Sequence, residues 1–222
     1  MTFKRAVLGL LVGIPLMAAG DAPPKRIAKP AQSVAQYSQA SLDAYGEGYA
    51  FIERAARLEL DAREARSNDQ TTATSLSQAK LAYEDALAAF ERAVRADPRM
   101  YEAHTYMGYA NRKLGRYEAA LSAYATALKL KPDYTRAIEY QGEAFLGLDR
   151  FADAKLNYYR LYALDREQAQ KLLSAMHEWF SDSSDARNRD ALQSASLREE
   201  AGSWLATQPK PNALAATPQT HW

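Results

Sequence analysis

The feature that most constrains the fold is an 18-residue pattern that recurs three times at a fixed step of 34 residues. Its copies span residues 81–98, 115–132 and 149–166. Aromatic residues and alanines recur in register at Tyr83, Tyr117 and Phe151; at Ala86, Ala120 and Ala154; and at Phe90, Tyr124 and Tyr158. A period of this length, when it is built from helices, indicates a solenoid in which each repeat packs on its neighbours.

Each copy has the spacing of an amphipathic helix. In the second copy the apolar residues from Tyr117 to Leu128 stand at i, i+3, i+4, i+7, i+10 and i+11, which places them on one stripe. Pro132 ends that helix, since proline lacks a backbone donor and clashes with the preceding turn. A further helix is predicted before each of the last two copies, over residues 101–114 and 135–148.

Two glycines recur inside these preceding helices. Gly108 and Gly142 stand at the same position, 34 residues apart. A glycine in a helix costs about 1 kcal/mol relative to alanine, so its recurrence predicts that two helices approach closely there. Ala120 and Ala154 are the residues expected to face them.

The second unit resembles a tetratricopeptide repeat. The signature positions of that family are occupied by His104, Met107, Gly108, Asn111, Ala120, Tyr124, Ala127 and Pro132. In the third unit they are occupied by Ile138, Gln141, Gly142, Phe145, Ala154, Tyr158, Leu161 and Arg166. The resemblance implies an all-α fold, an α-solenoid of about three helix hairpins with extra C-terminal helices. It assigns repeat packing to Gly108, Ala120, Tyr124, Ala127, Pro132, Gly142, Ala154 and Tyr158.

The first hairpin departs from the 34-residue spacing. A polar run over residues 67–75 predicts an exposed loop, and a long helix is predicted before it, over about residues 37–66. In that helix Gly48 and Phe51 resemble Gly142 and Phe145. The first hairpin therefore carries roughly 26 extra residues, an insertion placed at about residues 60–75. The i, i+4 pair Glu59–Arg63 is expected on its solvated face.

The two ends of the chain have other patterns. Residues 1–20 combine a basic start at Lys4 and Arg5, a short apolar stretch and small residues, which resembles a bacterial secretory signal peptide. The alternative is an uncleaved anchor in the inner membrane. Residues 21–36 are predicted to be a flexible linker, and residues 37–180 the solenoid, with a capping helix at 168–180. Residues 181–206 should be a C-terminal helical segment, and residues 207–222 a disordered tail.

Several chemical functions are not expected. The chain has no cysteine, and its histidines are far apart, at His104, His177 and His221, so no metal site is predicted. No phosphate-binding loop or serine elbow occurs, so neither an enzyme nor a cofactor is expected, and no small-molecule substrate is evident. The net charge of +1, from 28 basic and 27 acidic residues, does not favour nucleic acid as a partner.

The resemblance also implies a concave groove lined by the first helix of each pair. The residues it assigns to a partner-binding groove are Thr105, Tyr106, Tyr109, Arg112, Lys113, Arg136, Glu139, Tyr140 and Glu143. Tyrosine and arginine are enriched at binding hot spots, and Arg112, Lys113 and Arg136 could attract an acidic peptide. The alternative for Tyr106 and Tyr140 is that they pack between repeats.

The sequence therefore predicts an exported, periplasmic scaffold or adaptor that binds a peptide or protein segment. The alternative is a self-associating structural component of an envelope assembly. In that alternative the solenoid ends and two apolar patches, at Trp179–Phe180 and Trp204–Leu205, would pair between copies and form a homo-oligomer.

Overall fold

The computed structural model describes residues 37–65, 69–182 and 191–208. Within these ranges the chain forms only helices and turns. The helices are α1 Gln39–Glu64, α2 Asp69–Ala96, α3 Tyr101–Lys113, α4 Tyr117–Leu130, α5 Thr135–Gly147, α6 Phe151–Leu164, α7 Arg166–Asp182 and α8 Ala191–Thr207. Within the described part, each helix is either too short or too polar to serve as a membrane span.

Three helix hairpins stack in sequence. They are α1 with α2, α3 with α4, and α5 with α6, and each hairpin packs on the next. The first helices of neighbouring hairpins also touch, and α7 packs on α5 and α6 as a further first helix would. The predicted all-α solenoid of about three hairpins is confirmed.

The predictions for the chain ends fall mostly on undescribed residues. The signal peptide (1–20), the linker (21–36) and nearly all of the tail (207–222) lie outside the described ranges and stay predictions. The capping helix appears as α7, and the C-terminal helical segment contains α8.

The first hairpin is long because both of its helices are extended. α1 and α2 have 26 and 28 residues, whereas α3 and α4 have 13 and 14. The predicted loop is wrong over residues 69–75, since α2 already begins at Asp69. That polar run contains neither glycine nor proline, and its helix continues into the buried side of α2 at Ala79, so nothing local interrupts it.

The two recurring glycines mark where a large side chain packs against a first helix, and the residues that they contact differ from the expected ones. A Cβ on Gly108 would lie 2.4 Å from the ring of Tyr124, and one on Gly142 would lie 2.5 Å from Leu172. The atoms nearest to an added Cβ thus belong to Tyr124 and Leu172 and not to Ala120 and Ala154, the residues expected to face these glycines. The missing Cβ makes room for a large side chain, which inserts into the gap.

The same contact recurs in the first hairpin, where Gly48 lies against Phe90. Gly48 and Phe90 are 42 residues apart, and Gly108 and Tyr124 are 16 apart, so the first hairpin holds 26 more residues between equivalent points. Together with the doubled helix lengths, this shows that the extra residues extend the hairpin along its own axis.

Two hairpins close with the same turn. Gly115 and Asp149 both have left-handed backbones, with φ of 73° and 57°. The residue after each one donates its N–H back into the last turn of the helix, from Arg116 to Asn111 O (2.8 Å) and from Arg150 to Phe145 O (2.9 Å). Aspartate tolerates this conformation better than most residues, and the carboxylate of Asp149 also accepts a hydrogen bond from the Trp179 indole (3.2 Å).

Candidate functional site

The candidate site is the surface along which α1, α3 and α5 lie side by side, which we call the first-helix face. All the residues predicted to line a partner groove lie on α3 and α5. Those that are buried are Thr105, Tyr106, Tyr109, Arg112, Lys113, Glu139 and Tyr140, whereas Arg136 and Glu143 are half-buried. Most of these side chains are therefore enclosed between helices. Their contribution to partner binding stays a prediction.

Aromatic rings from neighbouring hairpins fill the middle of the first-helix face. The ring of Tyr106 lies 5.4 Å from that of Tyr49 and 5.6 Å from that of Phe90, and the rings of Tyr109 and Tyr140 are 5.1 Å apart. Such pairs contribute about 0.5–1.5 kcal/mol each beyond their buried area. Tyr106 and Tyr140 therefore pack between repeats, as in the alternative weighed from sequence.

Two ion pairs join the first helices at one end of the face. Arg112 Nη1 lies 2.6 Å from Glu143 Oε2, and Lys113 Nζ lies 2.8 Å from Glu59 Oε2. The two cationic side chains are almost fully enclosed, with exposures of 4% and 0%. Because carboxylates of this chain already neutralise them, these two cations are poor candidates for attracting an acidic peptide.

Glu59 is a residue whose role the sequence did not reveal. It was expected on a solvated helix face beside Arg63, but it reaches the end of α3 and pairs with Lys113. Its carboxylate is available there because α1 continues well beyond the length of α3. The unusual length of α1 was therefore the feature from which the pairing of Glu59 with α3 could have been predicted.

At the other end of the face lies a group of half-buried residues that we call the tyrosine rim: Tyr45, Tyr101, Tyr134 and Arg136. The rings of Tyr101 and Tyr134 meet edge to face at 4.9 Å. Arg136 Nη1 donates to the Tyr106 hydroxyl at 2.7 Å. Of these four residues, only Arg136 was predicted from sequence.

Arg136 differs from the other two cations of the first-helix face. Its guanidinium has a phenol as its hydrogen-bond partner, and within the described ranges it lies in no ion pair. The nearby carboxylate of Glu102 instead accepts a hydrogen bond from the Tyr37 hydroxyl at 3.0 Å. A guanidinium carries five N–H donors, so Arg136 can bind a carboxylate from outside while it keeps its contact with Tyr106.

Burial keeps the phenols of this region protonated. It raises the pKa of Tyr45, Tyr101, Tyr106 and Tyr134 above the usual range, and neighbouring phenols and Glu102 raise the pKa of Tyr45 and Tyr134 further. At neutral pH these groups therefore act as hydrogen-bond donors. Across the described ranges, no three His, Asp or Glu side chains converge in a way that would hold a metal ion.

The raised pKa values predict how the stability of the fold depends on alkaline pH. A phenol whose pKa is higher in the folded chain than in the unfolded chain stabilises the fold below about pH 10, and that stability is lost as pH rises further. A spectrophotometric titration of the tyrosines, followed together with circular dichroism, checks this. The rim tyrosines should ionise only together with loss of helical circular dichroism. If all tyrosines ionised in one phase near pH 10 while the helices persisted, the rim would be solvated.

Comparison with known proteins shows that part of the chain matches one protein family. A family model described as a tetratricopeptide repeat matches residues 78–135 and again residues 107–170. The two matches together extend from residue 78, within α2, into the start of α7 and include all of α3 to α6. A search of curated proteins finds no match.

Proposed function

We propose, from the premise that residues 78–170 are tetratricopeptide repeats, that this chain is a scaffold whose tyrosine rim binds a segment of another protein. Repeats of this family generally mediate protein–protein interaction, because a stack of helices offers an extended binding surface. The observation that carries the proposal is the contrast between three cations of one face. Arg112 and Lys113 have carboxylate partners, whereas Arg136, among the described residues, has the Tyr106 phenol as its hydrogen-bond partner.

The chemistry of the rim favours an acidic, extended segment. Arginine binds carboxylates in a planar, bidentate manner, and the half-buried position of Arg136 strengthens that interaction relative to a fully exposed site. The rings of Tyr101 and Tyr134 offer apolar area with a polar edge, the combination enriched at binding hot spots. We expect the segment to place one Asp or Glu against Arg136 and an apolar side chain against the two rings.

The proposal includes an exported location. It is supported by the sequence of residues 1–20, in which Lys4 and Arg5 precede a short apolar stretch. The scaffold would then act outside the inner membrane. The alternative proposal, in which residues 1–20 stay as an anchor, leaves the tyrosine rim on the same side of the membrane.

A displayed random-peptide library, selected on the purified chain, tests the site because it samples many partner sequences at once. We expect Asp or Glu to be enriched at one position, next to an apolar residue. For a selected peptide, Arg136→Gln should weaken binding about tenfold, which corresponds to about 1.4 kcal/mol. The matched control is Arg116→Gln, since Arg116 is exposed and pairs with Glu84 away from the face.

Glutamine is shorter than arginine and gives up the hydrogen bond to the Tyr106 hydroxyl, so a thermal melt of each variant checks that the fold survives. Two results would contradict the proposal. One is an acidic preference that persists unchanged in the Arg136→Gln variant. The other is an equal loss of binding in both variants, which would indicate a general charge effect.

A further inference from the structure

The outer surface of α6 carries an apolar row that its counterparts in the other hairpins lack. Ala152, Leu156, Tyr159 and Ala163 are exposed and spaced i, i+4, i+7 and i+11, so they form one stripe, which we call the α6 stripe. The two large residues are 65% and 50% exposed. One period earlier, α4 has Glu118, Ser122, Ala125 and Lys129 at these positions, and α2 has Glu84, Ala88, Glu91 and Arg95. Only the third repeat presents a wholly apolar row there.

Helix α8 borders the α6 stripe on one side. Lys155 Nζ contacts Glu200 at 2.8 Å, and the Trp204 indole donates to the Tyr159 hydroxyl at 2.7 Å. The contacts advance in the same direction along both helices, so α8 runs beside α6. Leu156 stays outside this contact, and the stripe therefore continues an existing packed interface into exposed surface.

We propose that the α6 stripe is a dimerisation surface that binds the α6 stripe of a second copy in antiparallel orientation. Along the helix the stripe reads small, large, large, small, and this order is the same in both directions. A two-fold axis between Leu156 and Tyr159 places Ala152 of one copy opposite Ala163 of the other, and Leu156 opposite Tyr159. Such self-complementarity is what an isologous interface requires.

Charge favours the same orientation. Helical geometry places Asp153 and Arg160 on the same flank of the stripe, about two turns apart. Asp153 is 38% exposed beside Arg150, and Arg160 is exposed beside the carbonyl of Pro132. An antiparallel pair keeps this flank of both copies on the same side of the interface and brings Asp153 of each copy toward Arg160 of the other. In a parallel two-fold pair the two flanks lie on opposite sides of the interface, so these charges do not meet.

Engineered cysteines test the orientation, because the full chain contains no native cysteine. Chains carrying Ala152→Cys and chains carrying Ala163→Cys are tagged differently, mixed and oxidised. A disulfide needs Cα atoms within about 7 Å, so the antiparallel pair should give a mixed cross-link and little product from either chain alone. Products from each chain alone, without the mixed product, would overturn the antiparallel pairing.

Surface variants test the stripe itself by sedimentation velocity over a range of concentrations. Leu156→Glu should weaken the dimer at least tenfold, whereas Ser122→Glu, the matched change on α4, should leave it unchanged. Asp153→Arg should also weaken it, and adding Arg160→Asp to that variant should restore it. Because these side chains are exposed, thermal melts should stay close to that of the wild type.

Two results would overturn the proposal. The first is a wild-type chain that is monomeric at every concentration. The second is a dimer that Leu156→Glu leaves intact.

Discussion

Glu59→Ala is expected to lower the free energy of unfolding by about 3 kcal/mol, the lower end of the cost of breaking a buried ion pair. The variant removes the carboxylate 2.8 Å from Lys113 Nζ, while the lysine side chain, at 0% exposure, stays enclosed between helices. The ring of Tyr83, whose centroid is 5.6 Å from Nζ, retains part of the stabilisation of the charge. Denaturant unfolding monitored by circular dichroism measures the difference.

Three comparisons separate this ion pair from a general effect of charge. Glu64→Ala changes an exposed residue of the same helix and should alter stability by less than about 0.5 kcal/mol. Lys113→Met should cost less than Glu59→Ala, since the Glu59 side chain is 18% exposed and can recover water. The double variant should be more stable than Glu59→Ala alone. If Glu59→Ala lowered the free energy of unfolding as little as Glu64→Ala, the ion pair between Glu59 and Lys113 would contribute nothing to the stability of the fold.

The architecture could be predicted because it depends on a pattern that is local and repeated. The 34-residue period and the stripe through Tyr117 and Tyr124 are sufficient to predict helix pairs that stack. The prediction of a loop before Ala79 is wrong because a polar composition does not by itself indicate irregular structure. Tertiary packing overrides such weak local preferences, and here α1 supplies a long partner helix for α2.

The candidate site was harder to predict because it depends on pairings between repeats. The sequence places Arg112, Lys113 and Arg136 on one face, but it does not show which carboxylates reach them. Glu59 reaches Lys113 only because α1 extends past α3, and an alignment based on the period omits those residues. The distinct position of Arg136 becomes visible only when the other two pairs are seen in three dimensions.

Gly108→Ala is expected to destabilise the fold by about 2–3 kcal/mol, although glycine to alanine in a helix ordinarily stabilises by about 1 kcal/mol. The added Cβ would lie 2.4 Å from Cε1 of Tyr124. That ring is fully buried, at 0% exposure, so it cannot turn away without displacing its neighbours. Overpacking of this kind costs about 1–3 kcal/mol, and the short distance to a ring atom places this site at the upper end.

The chain contains a matched control in Gly46, which is also inside a helix but has no atom within 4 Å of an added Cβ. Gly46→Ala should therefore raise the free energy of unfolding by up to about 1 kcal/mol, so the two variants should shift the thermal midpoint in opposite directions. Shortening the opposing side chain tests the cause. Gly108→Ala combined with Tyr124→Leu should be less destabilised than the sum of the two single variants, because the residues share one gap. If the two effects simply added, or if both glycine variants stabilised the chain, Gly108 would not be the point at which the Tyr124 ring enters the neighbouring helix.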